Sequence, residues 1–238
     1  MIEREVTIGN ARLIQGDCRD VLWDLRGVAD LVVCDAAYKL TSGGCTHQSM
    51  GGIFAKGNYD NNGFLMDVPR WDELGGAFYR ACKPDADCYI MTNDKNLFEA
   101  GLAFEGAGWK FHNLLAWDKV RATRNRWYMK NLEFTLYLWK GKADPLGIND
   151  CGSKQLFALN APRVTDHPTE KPVALMDHYI QNSSKPGDVV LDPMMGSGST
   201  LVAALQAGRA CIGIEKDPKW FDVACARVSE ALETGEVA

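Results

Sequence analysis

The sequence predicts a single α/β domain with a mostly parallel sheet and an antiparallel hairpin at the sheet edge. Three patterns support this fold class. Residues 188–215 have the order strand, glycine turn, helix, strand. Residues 31–34 form a continuous apolar run, which is typical of a strand covered on both faces. Residues 109–119 and 132–142 alternate apolar and polar side chains, which indicates a hairpin.

The remaining elements follow from the same kinds of pattern. Residues 39–66 are rich in glycine and asparagine and predict a long loop, either a mobile lid or a disordered insertion. Residues 143–166 have little pattern. Further strands are predicted at 11–17, 29–38, 85–94, 188–191 and 210–214, and helices at 18–27, 71–83, 97–108, 199–207 and from Pro172 onward.

Composition narrows the class of protein. With 238 residues, 46% of them hydrophobic, the chain can bury a full core as one domain over 1–238. The eight cysteines form no C-x-x-C and the four histidines complete no zinc pattern, so we expect no metal and a reducing, cytoplasmic compartment. The N-terminal residues carry charges and no apolar run, so no secretory signal is expected.

The glycine turn within 188–215 predicts a nucleoside site. Gly196 and Gly198 would let the backbone approach a ligand closely, and the following helix points its amide dipoles at the same place. Glu215 lies close to the spacing of about 20 residues at which an acid meets ribose hydroxyls. The third glycine of the dinucleotide fingerprint is missing, which argues against a pyrophosphate.

A basic segment lies between the two predicted hairpin strands. Residues 119–130 hold five basic side chains and no acid, with Trp127 and Tyr128 among them. Basic side chains interleaved with aromatic rings suit a phosphate backbone and an unstacked base. A solvated hairpin tip is the alternative, but the net charge of −5 makes a local basic cluster more notable. The residues predicted to contact nucleic acid are Lys39, Lys119, Arg121, Arg124, Arg126, Trp127 and Lys130.

Three short motifs occur in a defined order: D-A-A-Y at 35–38, H-P-T-E-K-P at 167–172, and D-P-M-M-G-S-G-S-T at 192–200. Together they resemble the amino DNA methyltransferases of the permuted β group. Members of that group transfer a methyl group from S-adenosylmethionine to adenine N6 or cytosine N4. The resemblance implies a Rossmann-like methyltransferase domain with circularly permuted motifs, a base flipped out of double-stranded DNA, and no metal.

The resemblance also implies roles for the matching positions. The Asp35 carboxylate would accept hydrogen bonds from the target amine, and Tyr38 would stack on the flipped base. The implied catalytic segment is Asp35, Ala36, Ala37 and Tyr38. The implied cofactor residues are Asp17, Thr169, Lys171, Pro172, Asp192, Pro193, Gly196, Ser197, Gly198, Thr200 and Glu215.

One departure from the family pattern concerns the first motif. The group usually has D-P-P-Y, whereas Ala36 and Ala37 replace both prolines here. Proline fixes φ and removes an N–H donor, so the alanines predict a looser loop and weakened catalysis. By analogy with the group, Asp35 instead of serine at the first position favours adenine N6.

Several alternatives remain open from the sequence. These are a cytosine-N4 DNA methyltransferase, an RNA methyltransferase, and a catalytically impaired nucleic-acid-binding homologue. A nicotinamide dehydrogenase is less favoured because the pyrophosphate glycine is absent. Related enzymes often form homodimers, but no pattern marks an interface. The resemblance places the protein in the cytoplasm of a bacterial or phage-infected cell.

Overall fold

The computed structural model describes residues 2–38, 68–123, 128–142, 147–160 and 164–234. The predicted loop 39–66 lies outside these ranges. The described strands are β1 (Ile2–Ile8), β2 (Ala11–Gly16), β3 (Ala29–Asp35), β4 (Cys82–Thr92), β5 (Lys110–Thr123), β6 (Lys130–Lys140), β7 (Leu156–Ala158), β8 (Val189–Asp192) and β9 (Ala210–Glu215). They form one nine-stranded sheet in the order β1-β2-β9-β8-β3-β4-β6-β5-β7.

Helices cover both faces of this sheet. They are α1 (Cys18–Asp24), α2 (Trp71–Ala81), α3 (Leu97–Gly106), α4 (Val173–Ser183), α5 (Ser199–Gln206) and α6 (Pro218–Glu233). The first three bury apolar side chains such as Phe78 and Phe104 against one face. The last three bury others, among them Leu175 and Phe221, against the opposite face. The central strands are therefore covered on both sides, which explains the continuous apolar runs in their sequence.

The parallel part of the sheet contains β2, β9, β8, β3 and β4. From β8 the chain passes through α5 to β9 on one side, and from β3 it passes through α2 to β4 on the other. The winding direction therefore reverses between β8 and β3. In open α/β sheets, ligands bind outside the carboxyl ends of strands at such a switch point. Asp35 and Asp192 are the last residues of these two strands.

The predicted fold class is confirmed, including the antiparallel hairpin of β5 and β6. Two strands were not predicted. β1 pairs antiparallel with β2 but is mostly exposed, so it lacks the apolar run that marks a buried strand. β7 has three residues, lies within the poorly patterned 143–166 stretch, and pairs parallel with β5 outside the hairpin. Among the described helices, none is both long and apolar enough to cross a lipid bilayer.

Candidate active site

The turn between β8 and α5 can be built only with glycine at two positions. Gly196 has a φ of +50° and Gly198 has a φ of +84°, in the left-handed region that disfavours side chains. A Cβ on Gly196 would lie 3.1 Å from Nε2 of His167, and one on Gly198 would lie 3.2 Å from Cβ of Ala224. The turn is therefore tightly enclosed, with its backbone N–H groups near the start of α5.

Glu215 holds this turn to the end of β9. The backbone N–H of Gly196 donates to Oε2 of Glu215 at 2.9 Å, and the N–H of Asp217 donates to Oε1 at 2.8 Å. Burial raises the pKa of Glu215, and these two N–H donors partly oppose the rise. Glu215 therefore lies directly beside the glycine turn, and its predicted contact with ribose hydroxyls stays a prediction.

Asp17 lies on the neighbouring strand end. It caps α1 by accepting the N–H of Arg19 at 3.0 Å, and Lys216 next to Glu215 approaches its Oδ2 at 3.2 Å. The side chain of Arg19 holds the pKa of Asp17 well below its ordinary value. Because β2 pairs with β9, the predicted adenine and ribose contacts lie side by side.

Asp192 is almost completely enclosed at the switch point, with 3% of its surface exposed. The N–H of Met194 donates to its Oδ1 at 3.1 Å, and Thr200 also hydrogen-bonds to it. Burial raises the pKa of Asp192 to about 7 despite these donors. Pro193 and Ser197 of the same turn are buried as well.

A salt bridge joins Asp35 to a residue that the sequence assigned to the cofactor. Nζ of Lys171 lies 2.5 Å from Oδ2 of Asp35 and 3.3 Å from Oε2 of Glu133, and it donates to the carbonyl oxygen of Thr169 at 3.2 Å. Burial raises the pKa of Asp35, and the Lys171 ammonium opposes that rise. Burial disfavours the charged ammonium, but the carboxylates raise the pKa of Lys171 above its ordinary value.

Sequence reasoning missed Glu133. It lies on β6, and its Oε1 accepts from Nζ of Lys119 on β5 at 3.1 Å. The sequence contains one signal for it, which is a single acidic residue within a strand that is otherwise rich in apolar side chains. That signal does not reveal Lys171 as its partner, because the two residues belong to separate elements.

The loop after β3 contacts the start of α2 and the glycine turn. The ring of Tyr38 stacks on Trp71 with 6.5 Å between centroids and 23° between planes. Ala36 is buried in the core, whereas Ala37 is exposed and its N–H donates to Sδ of Met194 at 3.1 Å. One of the N–H groups that proline would remove therefore makes a contact with the glycine turn.

Ion pairs and hydrogen bonds through Arg227 hold the H-P-T-E-K-P segment against the glycine turn. The nearly buried carboxylate of Glu170 forms an ion pair with Arg227 of α6 at 2.9 Å. The same guanidinium donates to the carbonyl oxygen of Ser197 at 3.3 Å and to Oγ of Ser199 at 3.0 Å. Pro172 then serves as the N-cap residue of α4. These contacts hold the segment beside the glycine turn, and Lys171 of the segment reaches Asp35 at the carboxyl end of β3.

The predicted nucleic-acid residues are partly described. Arg121 is exposed on β5, Lys119 is paired with Glu133, and Lys130 is paired with Asp94 at 2.8 Å. Tyr128 is 95% exposed. The other predicted contacts, Lys39, Arg124, Arg126 and Trp127, lie outside the described residues.

Two proteins of similar sequence are both type II methyltransferases. The chain is 28% identical to the type II methyltransferase M2.DpnII of Streptococcus pneumoniae, covering 86% of this chain and 84% of that protein. It is 26% identical to the type II methyltransferase M2.LlaDCHI of Lactococcus lactis subsp. cremoris, covering 95% and 92%.

Solved structures show the same fold. The crystal structure of the M1.HpyAVI–SAM complex has a TM-score of 0.67 at 23% identity, covering 91% of this chain and 99% of that one. The cytosine-N4-specific PvuII DNA methyltransferase has a TM-score of 0.71 at 13% identity, covering 99% and 96%. The profile of the N6/N4 DNA methylase family matches residues 29–225, which include Asp35, the glycine turn and Glu215. The chain therefore belongs to the N6/N4 DNA methylase family.

Proposed function

We propose that this protein transfers a methyl group from S-adenosylmethionine to adenine N6 of a base flipped out of double-stranded DNA. One observation carries the proposal above all others. The Asp35 carboxylate lies at the carboxyl end of β3, immediately beside the strand that leads into the glycine turn. A hydrogen-bond acceptor for an amine and a seat for a nucleoside thus share one edge of the sheet.

The cofactor half fits an adenosine with a methionine tail. Bound S-adenosylmethionine would supply an activated methyl group on its sulfonium and would leave as S-adenosylhomocysteine. The positive φ angles of Gly196 and Gly198, and the close approach of His167 and Ala224 to them, fix the shape of the turn that would lie under the cofactor. Glu215 would accept the ribose hydroxyls, and Asp17 would face the adenine edge. Lys171 or Thr200 would meet the methionine carboxylate.

The catalytic half would activate a weakly nucleophilic amine. The lone pair of an exocyclic amine is delocalised into the base, so acceptors for its N–H groups favour a tetrahedral nitrogen and orient the lone pair. Asp35 is suited to this role, because partial burial strengthens the hydrogen bonds that it accepts. The Tyr38 ring, supported by Trp71, would stack on the flipped base.

Asp35 favours adenine over cytosine as the target base. In the amino DNA methyltransferases that this chain resembles, Asp instead of Ser at this motif position is associated with adenine N6. Double-stranded DNA is the proposed partner. The exposed Arg121 and Tyr128 of the hairpin support contact with a phosphate backbone and bases. The protein would act in the bacterial cytoplasm, where this DNA lies. A homodimer stays a prediction.

The test is incubation of the protein with isotope-labelled S-adenosylmethionine and genomic DNA that lacks modification, followed by nucleoside mass spectrometry. We expect labelled N6-methyladenine, and methylation-aware sequencing would then give the target site. Labelled N4-methylcytosine would replace the adenine assignment. Parallel reactions with single strands and structured RNA test an RNA substrate. No label in any nucleic acid, despite cofactor binding measured by calorimetry, would favour the impaired homologue.

A further inference from the structure

Four charged side chains alternate in sign across the catalytic half of the site. Lys119 contacts Glu133 at 3.1 Å, Glu133 contacts Lys171 at 3.3 Å, and Lys171 contacts Asp35 at 2.5 Å. The first two residues come from β5 and β6, and Asp35 ends β3. The proposed chemistry uses Asp35 and assigns no role to Glu133.

Lys171 is nearly buried, and the other three charged side chains are partly shielded from water. The exposed side-chain fractions are 24% for Lys119, 25% for Glu133, 9% for Lys171 and 28% for Asp35. A buried ammonium is stable only where carboxylates or other acceptors compensate for its lost hydration. Lys171 has two carboxylates and the Thr169 carbonyl in this role. Without Glu133, Asp35 would become the main counter-ion of Lys171.

This sharing matters for the proposed reaction. Asp35 must keep oxygen lone pairs available for the N–H groups of a base, yet a buried ammonium with no other anion would compete for them. A second anion reduces that competition by attracting the ammonium away from Asp35. Glu133 contacts Nζ of Lys171 through Oε2, and its other oxygen accepts from Lys119, so two contacts set its position.

We propose that Glu133 is a positioning residue, which shares the Lys171 ammonium with Asp35 and thereby keeps Asp35 available to accept hydrogen bonds from the target amine. The inference rests on the proposed function and deepens it. Lys119 is part of the same arrangement, since it neutralises Glu133 and limits how strongly Glu133 attracts Lys171.

The arrangement predicts opposite effects from removing opposite charges. The negative charge of Glu133 raises the pKa of Asp35, so its removal should lower that pKa. Removing Lys119 leaves Glu133 less compensated, and the pKa of Asp35 should rise. Other titratable groups facing this cluster are Tyr38 after β3, Asp192 on β8, His167 before α4 and Tyr179 on α4.

The experiment compares Glu133→Gln with Lys119→Met, using single-turnover methylation at saturating S-adenosylmethionine and duplex DNA across a pH series. We expect Glu133→Gln to lower the plateau rate by about tenfold. Because the reaction requires ionised Asp35, its acidic limb should move to lower pH, by on the order of one unit. The limb should move to higher pH in Lys119→Met. Glu133→Asp, which keeps the charge, should leave the limb close to wild type.

A second measurement does not depend on turnover. The pKa of Asp35, followed by carbon NMR of its labelled carboxyl group, should fall in Glu133→Gln and rise in Lys119→Met. Shifts of the same sign in both folded variants, or no shift in either, would overturn the role of Glu133. If the wild-type protein methylates no nucleic acid, the proposed function fails, while the NMR titration still decides whether Glu133 controls Asp35.

Discussion

The two halves of the site are constructed differently. In the cofactor half, a backbone N–H from the glycine turn binds Glu215, and both belong to one strand, turn, helix and strand unit. In the catalytic half, Asp35, Glu133 and Lys119 come from separate parts of the chain and form one network of side-chain charges with Lys171, whose ion pairs leave Thr200 as the better candidate for the methionine carboxylate. The first half depends on the space around a backbone, and the second depends on the balance of charge.

This contrast predicts different sensitivities. An added methyl group should damage the cofactor half, whereas a change of charge at constant shape should damage the catalytic half. Four variants, one of them a double substitution, test the distinction.

The largest effect is expected from Asp35→Asn. The amide is close in shape to the carboxylate but has one fewer acceptor oxygen and no charge, so the single-turnover methylation rate should fall about 100- to 1000-fold. Cofactor affinity, measured by calorimetry, should change much less. Asp72→Asn is a matched control, since Asp72 is an exposed carboxylate on α2 that pairs with Arg70, the N-cap residue of the same helix. Equal losses of rate and cofactor affinity in Asp35→Asn would break the proposed separation of the two halves.

Gly196→Ala tests the cofactor half. Alanine at position 196 would have to keep a φ of +50°, which is strained for a residue with a side chain, and its Cβ would lie 3.1 Å from Nε2 of His167. The turn should therefore shift, and cofactor affinity should fall about tenfold. The control is Gly27→Ala, because Gly27 has a φ of +64° but no atom within 4 Å of the added Cβ. That control should lose about 1–2 kcal/mol of stability and keep its cofactor affinity. An equal loss of affinity in both variants would mean that general destabilisation, and not the enclosed turn, is responsible.

Asp192→Asn tests a buried carboxylate that lies between the cofactor half and the catalytic half, at the end of β8. The pKa of Asp192 is raised from 3.8 to about 7, so between these values the folded protein keeps a proton that the unfolded chain has released. Stability from this group is therefore lost as pH rises through that window. Thermal unfolding from pH 5 to pH 8 should show a decline in midpoint that is smaller in the variant, by on the order of 5 °C. The same decline in both proteins would contradict a raised pKa at Asp192.

The smallest effect is expected from restoring the prolines at positions 36 and 37. Ala36→Pro with Ala37→Pro should stiffen the loop that carries Asp35 and raise the single-turnover rate a few-fold, since compatible prolines contribute about 0.4–1 kcal/mol each. The single variants are the controls, because Ala37→Pro removes the N–H that donates to Met194 and Ala36→Pro does not. An unchanged or lower rate in a folded double variant would count against the loop-rigidity hypothesis.

The local structure of the proposed cofactor half could be predicted well from the sequence, because the order of strand, glycine turn, helix and strand is local. The hydrogen bond from Gly196 to Glu215 was not predicted, and the ribose contact of Glu215 stays a prediction. The position of Asp35 at the end of a buried strand was also predictable, since an apolar run precedes it. The contact between Asp35 and Lys171 was not predicted, although both residues were singled out for separate roles.

The sequence alone determined most of the local elements, including the two strands that end at Asp35 and Asp192, and the motifs that indicate a nucleoside and an amine. These features depend on periodicity, glycine conformations and short spacings, which neighbouring residues fix. Only the tertiary structure decided that Glu133 faces Lys171, that Lys119 pairs with it, and that Arg227 clasps Glu170. The physical reason is that ion pairs between distant elements depend on strand order and register. The position of a single acidic or basic residue in the sequence does not indicate which residue it will pair with.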